Sequence, residues 1–300
     1  MKIRQTILSL LLLLTAPLMA QESNDDASIW SEIGIEKSIT KKWDVGLDME
    51  FRAQNKARVS VGLGTSYKVN KYLKFGLSYS FLYTCKPDKH KDKSEGEVGS
   101  EYWEVGYNFT PEYWYPRHRF NVEATGSIKL WNWLKVSLRE RYQLTHARER
   151  VYEKHAYREN WSMQPQYIED GWDWIYIGDV PEMNGDPVDE WRIETKPSYT
   201  DQVLRSRIKL EYDKKRCPYS PFVSTEFHNS VVVGDHMLLQ KIRSAIGCSY
   251  KFRKHNEVSL AYIITFDMFD IEENETTLEA ETVRLHDRMH AINIGYKYNF

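Results

Sequence analysis

Three cysteines in 300 residues, Cys85, Cys217 and Cys248, form no paired spacing, and their odd number argues against a disulfide framework. No C-x-x-C or H-E-x-x-H string occurs, so neither a metal site nor a cofactor is implied. No apolar run after the N-terminal segment approaches the roughly 20 residues that a membrane helix requires. Charge of one sign is also missing. Lys and Arg number 41 against 43 Asp and Glu, so nothing in the bulk charge suggests a nucleic-acid partner. Mean hydropathy is only −0.62.

Aromatics, by contrast, are plentiful, with 20 Tyr, 11 Phe and 10 Trp, so the chain is not a disordered one. At the N-terminus Lys2 and Arg4 precede the apolar run Ile7–Leu14 and the short segment Pro17–Ala20. This is the pattern of a secretory signal peptide over 1–20, cleaved after Ala20, with one domain over 21–300.

From Trp43 onward the period is two. Trp43, Val45, Leu47, Met49 and Phe51 share one face, and Asp44, Gly46, Asp48, Glu50 and Arg52 share the other. The pattern recurs from Arg58 to Val69, Leu73 to Tyr83, Phe120 to Leu138, Leu204 to Phe227, Leu238 to Phe266 and Ile292 to Phe300. The runs exceed the 5–6 residues common in soluble folds and match the roughly 9–11 of a tilted membrane-spanning strand. Tight turns at 40–42, 70–71, 131–132, 213–218 and 253–255 alternate with long excursions at 85–116, 146–200 and 268–286. The expectation is an all-β, antiparallel transmembrane β-barrel of the outer membrane, with short periplasmic turns and long extracellular loops. Eleven strands are visible, and the even number that an antiparallel barrel needs points to about 12 (range 10–12). The twelfth is sought at Tyr102–Phe109 or within 150–200, unless Ile29–Ile39 lies outside the barrel.

Several strings, taken in order, resemble an outer-membrane family, the domain-of-unknown-function 2490 family, common in Bacteroidetes-type bacteria. They are Trp30, the MEFRAQ strand with Arg52, the HRF of His118–Phe120, the LRERYQL strand, the LRSRIKL strand, the PFVSTEF strand and the terminal GYKYNF. The resemblance implies an outer-membrane barrel and supplies no reaction, substrate or catalytic residue.

The polar phase of the strands defines a lumen charge network: Glu32, Glu36, Asp48, Glu50, Arg52, Arg119, Glu123, Arg139, Arg141, Arg205, Arg207, Glu211, Glu226 and Arg243. The early acids and the middle arginines fall on opposite walls, so arginine forks are expected to pair across the lumen. Either a selective pore lining or a salt-bridged filling follows. Basic groups outnumber acids on this face, so any leak should favour anions.

In the segment 146–200, Trp161, Trp172, Trp174 and Trp191 stand among acids, as ligand contacts for a surface carbohydrate or partner, or as a plug folded over the mouth. Tyr296, Tyr298 and Phe300 form a lipid-facing C-terminal signal for the barrel-assembly machinery. The leading function is a narrow or gated passive channel for small solutes, or a surface-binding scaffold, embedded in outer-membrane lipids. The alternative is a lipid-modifying acyl hydrolase or acyltransferase, for which Ser224, Glu226 and His228 share one strand face. No G-x-S-x-G elbow supports it.

Overall fold

The computed structural model describes residues 25–53, 56–95, 102–170, 173–231, 237–273, 280–284 and 288–300. The segment 1–20, read as a signal peptide, lies outside them. In chain order the first strands are β1 (Asp25–Ser38), β2 (Trp43–Ala53), β3 (Arg58–Lys68), β4 (Leu73–Lys86), β5 (Lys89–Glu95) and β6 (Tyr102–Thr110). There follow β7 (Tyr113–Leu130), β8 (Leu134–Ala147), β9 (Arg150–Asp170), β10 (Asp173–Met183), β11 (Val188–Lys196) and β12 (Tyr199–Tyr212). The last are β13 (Tyr219–Ser230), β14 (Leu238–Phe252), β15 (Asn256–Asp267), β16 (Phe269–Glu273), β17 (Ala280–Arg284) and β18 (Arg288–Asn299).

A closed barrel forms in the order β1-β18-β15-β14-β13-β12-β8-β7-β4-β3-β2. Its strand count is eleven, inside the expected range, and the assumption that fails is the even number. Strands that alternate in direction leave the first and last of an odd set running the same way. The barrel therefore closes through a parallel β1–β18 pair, with Ile29 opposite Ile292 and Ile35 opposite Tyr298. The remaining barrel pairings are antiparallel. Ile29–Ile39 thus belongs to the wall rather than lying outside it. Tyr102–Phe109 is a strand, but not of the barrel.

Closure satisfies the backbone, which has no water to bond to in hydrocarbon. Outward residues are apolar and exposed along every wall, including Ile33, Phe51, Leu63, Leu77, Val122, Ile208, Leu260 and Ile294. At the short-turn end the exposed side chains become aromatic: Trp43, Tyr67, Tyr72, Trp131, Tyr219, Tyr250 and Phe300. A water-exposed surface of this kind would be unstable; a bilayer with aromatic interfacial belts accounts for it. The turn after β7 places Trp131 and Asn132 at φ 49° and 57°. Two successive positive φ values twist the backbone to suit a tight hairpin. Inside, glycine makes room for charge. A Cβ on Gly62 would stand 2.7 Å from the Asp48 carboxylate, and one on Gly76 would stand 2.8 Å from the Glu123 side chain.

Within the excursions 85–116 and 146–200 the described residues are largely strand. They form a second sheet, β10-β9-β6-β5 with β11 also on β9. Strands β5, β6, β9 and β11 each continue a barrel strand, respectively β4, β7, β8 and β12, after a break of two residues. Those four are neighbours in the barrel, so this rim sheet prolongs one side of the wall past the loop end. Across the breaks Tyr113 stacks on Tyr152, and Arg150 lies over Tyr115. Strands β16 and β17 make a separate hairpin within 268–286.

Candidate functional site: a charged lumen

Inward residues from all parts of the wall enclose a cavity of ≈ 580 Å³. A second one of ≈ 200 Å³ adjoins it, sharing Glu36, Asp48 and Arg141. The charges are layered by residue type. Lysines serve the short-turn end: Lys68 reaches Asp44 at 2.9 Å, Lys209 reaches Glu211 at 3.2 Å, and Lys297 pairs with Glu36. Arginines serve the middle and the loop end.

The arginine half is organised around three carboxylates. Glu226, only 4% exposed, takes Arg139 at 2.6 Å and is also held by Arg205. Glu123 takes Arg141 at 2.7 Å, with Arg139 at 4.0 Å. Glu50 takes Arg52 at 2.8 Å and is bonded as well by Arg58. Most of these contacts join residues on the same or the next strand, and Arg139–Glu226 skips only β12. The expected pairing across the lumen is not what forms. Neighbouring inward positions are simply nearer than the far wall, and a guanidinium reaches them without stretching. Glu32 and Asp48 accordingly line the cavity with no arginine in ion-pair contact among the described residues, Glu32 sitting opposite Glu50 and Asp48 opposite Gly34 in the β1–β2 register.

Three network arginines have no carboxylate within ion-pair range among the described residues. Arg119 has a 3.4 Å contact with Thr145 Oγ1, Arg243 donates to Thr265 Oγ1 at 3.1 Å, and Arg207 stands opposite Arg139 and Glu226 in the ladders. Leaving such charges short of counter-ions in a confined lumen costs on the order of several kcal/mol for each one fully removed from water.

Two residues of the site escaped the sequence reading. Arg58, inward in phase with Ser60 and Gly62, was legible from alternation. Trp30 was not. It lies inside the lumen, 2% exposed, with the Arg52 guanidinium 3.7 Å and that of Arg243 4.8 Å from its ring centroids.

The Ser224–Glu226–His228 face does not assemble as an acyl-transfer site. His228 Nε2 lies 2.9 Å from Glu226 Oε1, but that carboxylate is already claimed by two guanidinium groups.

On the rim, Trp161 stacks on Trp103 with centroids 6.4 Å apart, whereas Trp174 is 68% and Trp191 58% exposed. Trp172 lies outside the described residues. The three described tryptophans, Trp161, Trp174 and Trp191, stand on β9, β10 and β11 of the rim sheet, as paired strands and not as a plug. Tyr152 and Lys154 both donate to Glu194, at 2.8 and 2.7 Å. Burial opposes the Glu194 charge, yet these two bonds outweigh it and hold the carboxyl below its usual 4.5.

Among curated proteins none matches this sequence. Among solved structures the chain is similar to the translocator domain of autotransporter NalP from Neisseria meningitidis, at 8% identity and a TM-score of 0.27, over 87% of this chain and 90% of that one. The later strings LRSRIKL, PFVSTEF and GYKYNF fall beyond the family match. The model of the family described as Protein of unknown function (DUF2490) matches residues 27–167, the part that carries Trp30, MEFRAQ, HRF and LRERYQL, and the family those strings resemble is the one found there.

Proposed function

We propose that this protein is an outer-membrane barrel serving as a narrow passive conduit for small anions. Its short turns lie in the periplasm and its rim sheet at the cell surface. The carrying observation is the arginine wall of Arg139, Arg141, Arg205, Arg207 and Arg243 around one confined cavity. Paired guanidinium groups narrow the passage, and the unpaired ones leave a positive lining. Outer-membrane lipids surround the apolar belt, and Tyr296, Tyr298 and Phe300 serve the assembly machinery as a C-terminal signal.

The exposed Trp174 and Trp191 support a second role for the rim, contact with a surface carbohydrate or other partner. An acyl hydrolase or acyltransferase is disfavoured because Glu226 is locked by Arg139 and Arg205.

Conductance of the purified chain in a planar bilayer tests the conduit. Small, anion-favouring steps are expected, and a large cation-selective conductance rejects it. Localisation is tested by fractionation and by comparing boiled with unboiled samples on a gel. Outer-membrane recovery with heat-modifiable mobility is expected, and a soluble periplasmic pool without it refutes the assignment. The mass of the mature N-terminus tests cleavage after Ala20.

A further inference from the structure

The loop-end half of the lumen carries more guanidinium groups than its carboxylates can match. Glu50 is taken up by Arg52 and Arg58, and Glu226 by Arg139 and Arg205. Arg119 is left with the hydroxyl of Thr145, and Arg243, which stands opposite Glu226 in the β13–β14 ladder without an ion pair to it, is left with the hydroxyl of Thr265 and the Trp30 ring; both threonines are 2% exposed. The charges acting most strongly on Arg119 come from Arg58, Arg205, Arg117 and Arg52, all of its own sign. Glu32 and Asp48 line the same cavity from β1 and β2 but form no ion pair with these arginines. Trp30 adds a third open donor: its buried indole Nε1 has no acceptor among the described residues. An indole N–H can only donate, so what Nε1 lacks is an acceptor.

We propose that Trp30, Arg119 and Arg243 form a binding site for a small tetrahedral oxyanion of the phosphate class, held inside the barrel. A tetrahedral oxyanion offers several acceptor oxygens at once, and guanidinium forks engage such oxygens in pairs. Chloride is one spherical acceptor and lacks the two oxygens that a guanidinium fork engages in parallel. The ≈ 580 Å³ cavity that Trp30, Arg119 and Arg243 all line has space for it. This inference deepens the conduit reading and rests on the lumen being reachable from solution.

The test is titration of inorganic phosphate into the full chain refolded in detergent, followed calorimetrically, with chloride at equal ionic strength as reference. Heat-modifiable mobility checks that each variant is folded. Saturable binding of phosphate over chloride is expected. Arg119→Gln and Arg243→Gln should each weaken it by about tenfold, about what losing one charge-assisted pair of bonds removes. Arg192→Gln, on the rim, should leave it unchanged. If the Gln variants do not fold, Arg119→Lys and Arg243→Lys keep the charge, lose the fork and should show the same weakening. Absence of saturable binding in the folded wild type overturns the site, as does binding that the lumen substitutions leave intact. Phosphate binding without any conductance upholds the site and rejects the conduit. Anion conductance without phosphate binding does the reverse.

Discussion

Arg205 stands directly opposite Arg141 across the β8–β12 ladder, and the next inward pair repeats the conflict with Arg207 opposite Arg139. Like charges in direct register destabilise a sheet. The strands tolerate four guanidinium groups here because Glu226 binds Arg139 and Arg205 from one side and Glu123 binds Arg141 from the other. Glu226→Gln removes the more buried of these counter-ions while keeping its shape. It should destabilise the barrel by about 3–5 kcal/mol, the cost of breaking a buried pair from one end. Urea unfolding of detergent-refolded protein measures it. A loss below about 1 kcal/mol would show that the arginines are solvated well enough to need no partner.

The same network sets the width of the passage. Arg139→Gln together with Arg205→Gln removes two guanidinium groups that reach inward to Glu226 and releases that carboxylate into the lumen. Single-channel conductance should rise and the anion preference should fall. Unchanged conductance and selectivity would place the constriction elsewhere.

Much of this was legible in the sequence because a strand has only two faces. Alternation from Trp43 to Phe51 assigns every residue to lipid or lumen without reference to any other strand, and positive φ at Trp131 and Asn132 sits where the tight turn was expected. What alternation does not carry is the partner of each inward charge. That depends on stagger between strands, which is why Glu226 was foreseen in the network but its pairing with Arg139 and Arg205 was not. The parallel seam was invisible for a similar reason: strand direction follows from counting, but whether β1 closes on β18 depends on long-range register. The rim sheet was hidden because its two-residue breaks look like loop boundaries, and its mixed, weakly alternating strands have no lipid to face.

The rim sheet should respond to pH at both extremes, through Glu194 and Tyr152. The folded carboxyl of Glu194 titrates below its ordinary 4.5, so its contribution is complete above that value and is lost as pH falls below it. For Tyr152, burial and then the bond to Glu194 push the phenol up to about 12. Its contribution is complete below the ordinary value of 10.0 and is lost as pH climbs from there toward 12. Amide exchange of the β9–β11 ladder, corrected for the intrinsic pH dependence of exchange, should show protection flat near neutrality and falling at both ends. Protection that grows on acidification from pH 5 to pH 3 contradicts the assignment.

The odd strand count makes the sharpest structural claim, because one pair of positions decides it. Ser31 faces Ile294 in the parallel β1–β18 register, both outward on the lipid side. Adjacent positions on paired strands lie within the Cα separation of roughly 4.4–6.8 Å that a disulfide spans. With Cys85, Cys217 and Cys248 replaced by Ala, the pair Ser31→Cys and Ile294→Cys should cross-link on oxidation and shift mobility on a non-reducing gel. Ser31→Cys with Tyr298→Cys moves one partner four residues along the strand, about 13 Å at 3.3 Å per residue, and should not cross-link. A barrel closed by a twelfth strand would insert itself between β1 and β18 and part Ser31 from Ile294. Failure of that pair to cross-link in a folded, heat-modifiable variant would therefore rule out the eleven-stranded closure, whereas its success leaves no room for another strand at the seam.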